Sequence, residues 1–192
     1  PTINNSRCNW SAGVADREQH PINCITWPES HEYCMSWLGG ELPTEAQWEK
    51  AARGGLGDTR KYPWGATPEP DCTRANFDVN GSAPGEGCGQ VSFGVSTWEV
   101  GSIAGPEGDS PFGLKDMAGN VWEWVLDYYL ATFYQQCAGG CTDPVYTTTS
   151  NYRVFRGGCF FEEAEYLRVV KRTYHVPEHR DIATGFRCSR IP

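Results

Sequence analysis

An α+β chain, rich in loops, poor in regular secondary structure and stapled by disulfides, is predicted by three observations. Two sharply delimited helices occupy the first 55 residues, a long run of Gly, Pro and short polar residues follows them, and nine cysteines sit in 192 residues. The cysteines form no C-x-x-C pair and do not repeat as a zinc ribbon or finger would. Their number therefore points to an oxidising compartment, extracellular or periplasmic, with four disulfides and one cysteine over. The chain begins at Pro1 without an apolar leader, so a signal peptide is read as removed or as lying outside this piece. No stretch approaches the roughly 20 consecutive apolar residues of a membrane-spanning helix. With 16 basic against 24 acidic side chains the net charge is −8, the wrong sign for releasing counterions from a nucleic-acid backbone.

The first helix is announced by Thr26-Trp27-Pro28-Glu29, in which Thr and Glu stand at capping-box spacing with Pro in the first turn. Gly39-Gly40 is expected to stop it, and Ser30, Cys34, Trp37 and Leu38 fall on one face that should be buried. The second helix follows the same grammar, with Thr44 as cap, Gln47 reaching back and Gly54-Gly55 as its end. Trp48, Ala51 and Ala52 give it a narrow apolar face for close packing. From Gly55 to about Gly113 the composition is that of turns, interrupted by strand-like fragments at Val91–Val95 and Trp98–Val100. Further short strands are expected at Val121–Val125, Tyr152–Arg156 and Gly185–Cys188. No internal repeat or low-complexity tract is present, so residues 1–192 are read as a single domain.

Several segments carry a family likeness. They are His20-Pro21-Ile22-Asn23-Cys24-Ile25-Thr26-Trp27, Glu41-Leu42-Pro43-Thr44-Glu45-Ala46-Gln47-Trp48-Glu49, and Tyr62-Pro63-Trp64-Gly65. Next come Arg74-Ala75-Asn76-Phe77, Gly113-Leu114-Lys115-Asp116-Met117-Ala118-Gly119-Asn120-Val121-Trp122-Glu123-Trp124, Arg156-Gly157-Gly158 and Gly185-Phe186-Arg187-Cys188. In this order they resemble the formylglycine-generating enzyme family, also called sulfatase-modifying factors, and they span nearly the whole chain; the resemblance implies that residue 1 is expected to fall partway into the family's domain. The resemblance implies a C-type-lectin-like fold. It also implies a disulfide between Cys34 and Cys188, which on the chain-entropy view contributes roughly 5 kcal/mol. Alongside it we expect Cys8 with Cys24, Cys72 with Cys88 and Cys137 with Cys141, leaving Cys159.

The resemblance further implies structural calcium held by Asp116 and Glu123 side chains with the carbonyls of Gly119 and Val121, hard oxygen donors that suit this ion. The competing reading has Asp116 capping a turn and Glu123 paired with an arginine such as Arg153 or Arg156. A second site would use Asn76 and the Phe77 carbonyl, with Asp78 or Glu86 as the acid. Copper and iron are not expected. His175 and His179 stand four apart, but Pro177 between them argues against a helix that would aim both at one metal, so both are read as loop residues. His31, beside Glu29 and Glu32, is read as part of a solvated helix face.

The family's known activity, oxidation of a sulfatase cysteine to formylglycine, requires two cysteines after the Arg-Gly-Gly segment, because soft thiolates select Cu(I). Those positions fall here on Glu162 and Leu167. Cys159 takes the place of the family's active-site serine. It is read as a small buried hydrophobe or a disulfide partner first, as an intermolecular cross-link second, and as a remnant of oxidase chemistry last. The expected function is an exported, calcium-stabilised binding or assembly module, with a metal-dependent thiol oxidase as the alternative. By fold-level analogy, its binding face would show Phe160, Phe161, Tyr166, Tyr174, His175, His179 and Arg180 to a protein or glycan partner, or to a second copy of the chain.

Overall fold

The computed structural model describes residues 8–10, 17–79, 88, 97–103 and 105–190, so Val91–Val95 and Glu86 lie outside the described residues. Helix α1 (Trp27–Ser36) starts where the capping box predicts: Glu29 N donates to Thr26 Oγ1, and Thr26 N donates back to the Glu29 carboxylate at 3.0 Å. It stops at Ser36, two residues before the end that Gly39-Gly40 suggests. Ser30 and Cys34 are buried, but Trp37 and Leu38 fall beyond the last turn and stay 78% and 49% exposed, which corrects their expected place in the core. Helix α2 (Glu45–Arg53) is framed by the Thr44–Gln47 box and by Gly54, whose φ of +111° only glycine adopts without strain.

Four short strands follow, β1 (Trp122–Tyr128), β2 (Arg153–Arg156), β3 (Arg172–His175) and β4 (Thr184–Phe186). They form one sheet in the order β3-β2-β1-β4, with β1 parallel to β4 and the other pairs antiparallel. Because side chains alternate along a strand, β1 feeds two cores. Trp122 and Trp124 pack with Phe155, with Trp27 and Cys34 of α1, and with Cys159 and Phe160. Val125 and Val154, on the other face, pack against Trp48 and Ala52 of α2. Indole N–H groups in this interior find carbonyls: Trp27 donates to Val125 at 2.8 Å and Trp124 to Ile25 at 3.0 Å. A third cluster, built on Tyr62, Phe77, Ala118 and Leu167, lies within the loop-rich region.

Trp98–Val100 is not a strand. Its polar groups are used otherwise: Trp98 N donates to Asn120 Oδ1 at 2.9 Å, Asn120 Nδ2 donates to the Trp98 carbonyl, and Val100 N donates to the Gln19 carbonyl. Strand β3 is the element that sequence patterning misses, since four residues bounded by Lys171 and Val176 carry little periodicity. Disulfides join Cys8 to Cys24, Cys34 to Cys188, Cys72 to Cys88 and Cys137 to Cys141, and among the described residues Cys159 is the free thiol. No helix among the described residues is long and apolar enough to cross a membrane.

Candidate functional site

The loop before β1 is wound by three residues in the left-handed conformation: Asp116, Gly119 and Asn120, with φ of +56°, +77° and +67°. Gly119 is required there, because a Cβ would stand 2.3 Å from the Asn76 carbonyl oxygen. The coil brings Asp116, Gly119, Val121 and Glu123 to the wall of one cavity of about 290 Å³, which His20, Val100 and Arg187 also line. Asp116 accepts from Gly101 N at 2.6 Å. Burial pushes its carboxyl above the ordinary range, opposed by that N–H and by Arg187 and reinforced by the Glu123 charge.

Glu123 does pair with an arginine, but with Arg187 rather than Arg153 or Arg156. Arg187 Nε and Nη2 each reach a Glu123 carboxylate oxygen at 2.6 Å, Nη2 also approaches the Lys115 and Asp116 carbonyls at 3.2 Å, and Trp48 Nε1 donates to Glu123 Oε2 at 2.6 Å. Burial works against the Arg187 charge, yet Glu123 outweighs it and holds the guanidinium above its usual value. Asp116 and Glu123 bring two carboxylates to one cavity lining, hard donors that suit a divalent cation, but both Glu123 oxygens already accept from Arg187, so a cation there would have to share Glu123 with that guanidinium. The second expected set is adjacent: Asn76 and Phe77 are buried, and the Asn76 carbonyl accepts from Asn120 N at 2.8 Å. Asp78 is buried too, with its backbone N–H on the Glu162 carbonyl.

On the α2 face of the sheet sits an ionic network that the sequence does not announce. Glu45 is fully buried and receives a fork from Arg172, Nε to Oε1 at 2.8 Å and Nη2 to Oε2 at 2.6 Å. Arg156, also fully buried, donates to Glu49 at 2.6 Å and to the Val169 and Lys171 carbonyls at 2.7 Å. Asp127 pins the start of α2 and the Tyr146 loop by accepting from Glu45 N at 2.7 Å and Tyr146 N at 2.8 Å.

Burial pushes Asp127 from 3.8 to about 6, against those two N–H groups and with the Glu45 charge adding to the rise. A raised carboxyl favours the neutral form in the fold, so its contribution to stability is fully present below about pH 4 and is lost as pH rises through about 6. The shift corresponds to about 3 kcal/mol. Asp127→Asn, which lacks one acceptor at every pH, should therefore gain on the parent by about 2 kcal/mol between pH 4.5 and 7.5 in urea denaturation. A stability gap that stays constant across that range would remove Asp127 as a titrating group.

The Arg156-Gly157-Gly158 turn uses φ of +100° and +78° at its glycines and carries Cys159 into the core beneath the sheet. Burial pushes the Cys159 thiol well above its ordinary value, partly opposed by the Phe161 N–H, and the folded chain closes it to a second molecule. The cross-linking expectation is corrected on that ground. Phe160 is buried in the same cluster and is not on a binding face, because its N–H is drawn to the Asn120 carbonyl and its ring inward. Phe161 and Tyr166 are partly buried, whereas Tyr174, His175 and Arg180 are exposed. Arg180 pairs with Glu29 at 2.7 Å, and His179 pairs with Asp181 at 2.9 Å. His175 lies on β3 rather than in a loop, with its ring stacked on His179 at 3.5 Å between centroids. His31 is half-buried, stacked on Trp27 and 3.0 Å from Glu41, so it is not on a solvated face. Glu162 is half-buried and bonded to Trp122, and Leu167 is buried.

Comparison with known proteins gives a consistent result. The profile of the sulfatase-modifying factor enzyme 1-like domain matches residues 3–191. A formylglycine-generating enzyme of Thermomonospora curvata is 36% identical over 185 residues, covering 94% of this chain, which spans 59% of that relative's length. Among solved structures, Treponema denticola variable protein 1 superposes with a TM-score of 0.67 at 21% identity, covering 95% of this chain and 76% of that one. PvdO from Pseudomonas aeruginosa superposes at 0.64 and 24% identity, covering 88% and 60%.

Proposed function

The chain belongs to the family of sulfatase-modifying factor enzyme 1-like domains, and within it we propose a binding or assembly role outside the cell or in the periplasm, stabilised by calcium and without oxidase chemistry. The observation that carries this reading is the state of the three positions around the Arg-Gly-Gly turn. Glu162 and Leu167 supply no thiolate, and the remaining thiol, Cys159, is enclosed in the aromatic core and held protonated by burial. Copper(I) needs accessible soft ligands, and none is offered there. Four disulfides support an oxidising location. Asp116 and Glu123, with the Gly119 and Val121 carbonyls, would hold the calcium, which would share Glu123 with Arg187, offset the Asp116 charge and fix the loop that leads into β1. The contacting partner is a protein, a glycan or another copy of the chain, met on the surface that shows His175, His179 and Arg180; Tyr174, next to His175 on β3, points to the other face of the sheet and packs on Tyr129 and Tyr152.

Oxygen uptake in the presence of a cysteine-containing peptide, with elemental analysis of protein never exposed to chelator, tests the reading. We expect no uptake above that of the peptide alone, calcium as the bound metal, and a stabilisation of about 2.7 kcal/mol at a hundredfold excess of calcium over its Kd. That gain should vanish in Asp116→Asn. Stoichiometric copper, together with thiol-dependent uptake abolished by Cys159→Ser, would establish the oxidase alternative instead.

A further inference from the structure

Arg153 opens β2 on the α1 face of the sheet and is only 9% exposed. Its guanidinium is clamped between two rings, 3.6 Å from the Trp27 centroid and 3.4 Å from that of Tyr128. Nη1 donates to the Leu126 carbonyl, while Nε is buried with no hydrogen-bond partner. The other buried or half-buried arginines of the interior, Arg156, Arg172 and Arg187, each meet a carboxylate within 4.0 Å, and among the described residues Arg153 meets none. A guanidinium withdrawn from water without a counter-charge is costly, and the two ring faces offset only part of that cost.

The surroundings show what is missing. Strand register sets Tyr128, Arg153 and His175 in one row across β1, β2 and β3, on the same face. His175 is exposed at the end of that row and stacks on His179. The hydrogen bond from Trp27 N to the Pro177 carbonyl, 2.9 Å, draws the β3–β4 loop against the start of α1, so the clamp stands between them. The carboxylates nearby are engaged elsewhere: Asp181 by His179, Thr184 and Ala183 N, Glu41 by His31 and Leu42 N, and Asp127 by backbone on the opposite face. The planar edge of a guanidinium held rigidly between rings is pre-organised for in-plane hydrogen bonds to a carboxylate.

We propose that Arg153, flanked by His175, anchors an acidic side chain of a peptide or protein partner. The proposal rests on the binding role above and names the chemistry of its partner. A glycan is disfavoured at this point because Trp27 carries Arg153 and His31, and Tyr128 carries Arg153, which leaves little ring surface for a sugar to stack on. Burial also pushes Arg153 below the ordinary arginine value, with Tyr128, Asp127 and Glu41 acting in the opposite sense, as expected of a cation that would gain from a counter-charge.

The Nε–Hε resonance of Arg153 in the nitrogen-15-labelled chain reports on this site directly. A blocked tri-glutamate peptide should move it saturably, a blocked tri-glutamine peptide should not, and Arg153→Gln should weaken glutamate-peptide binding at least tenfold. No movement with tri-glutamate, or equal movement with tri-glutamine, overturns the proposal. A response to galacturonate and not to tri-glutamate also overturns it, in favour of an acidic glycan. The titration of the unaltered chain decides even where Arg153→Gln does not fold. Failure here leaves the non-catalytic reading standing, whereas thiol-dependent oxygen uptake would sink that reading without touching this titration.

Discussion

Arg156→Ala is expected to lower the free energy of unfolding by about 3–5 kcal/mol, a large share of what a domain of this size possesses. Arg156 is fully buried, and it holds Glu49 at 2.6 Å, lies 3.6 Å from the fully buried Glu45, and caps two carbonyls of the segment before β3. Truncation leaves Glu45 with Arg172 as its one cation, strands the Val169 and Lys171 carbonyls, and opens a cavity beside Trp48, over whose ring the guanidinium sits at 5.1 Å. Removing one partner of a buried ionic group costs more than the pair is worth, because the other partner keeps its desolvation penalty. Urea denaturation measures the effect, and a loss below about 1 kcal/mol would mean that water reaches the network and screens it.

Replacing Cys34 and Cys188 together by Ala should cost about 5 kcal/mol, against about 2 kcal/mol for the Cys137 and Cys141 pair, on the chain-entropy relation. The first bond closes a loop with a sequence separation of 154, the second one of 4. Cys34 is also wholly buried on α1, so its loss removes packing as well as a constraint on the unfolded chain, while Cys141 is exposed. Equal losses for the two double variants would show that strain or residual structure, rather than loop closure, sets their worth.

The readable parts of this fold are those written in local spacing. Thr26 with Glu29 and Thr44 with Gln47 mark helix starts three residues ahead, and the hydrogen bonds fall where those intervals predict. The end of α1 was less legible, since Gly39 marks where the chain turns and not where the helix loses its last bond, and Trp37 and Leu38 were misplaced for that reason. Inward and outward could not be told apart for Phe160, because its direction is set by two left-handed glycines before it and by a bond to Asn120, forty residues earlier in sequence. Least legible were the long-range charges. Glu45 and Arg172 are 127 residues apart, and Glu123 and Arg187 are 64 apart. Each looks like ordinary surface in its own segment until the sheet brings the segments together. The family likeness supplied what spacing could not, namely the Cys34–Cys188 pairing and the loop around Asp116.

That pairing has a mechanical side. The Cα atoms of Cys34 and Cys188 are 5.4 Å apart, so the 154-residue interval that holds α2 and the whole sheet is closed into one covalent loop. Tension applied before Cys34 and after Cys188 would run through α1 and the covalent bond there and bypass α2 and the four strands between. Under such a pull the Glu45–Arg172 and Arg156–Glu49 network stays unloaded, whereas Trp27 and His20, which precede Cys34, carry load to the Arg153 clamp and to the cavity wall.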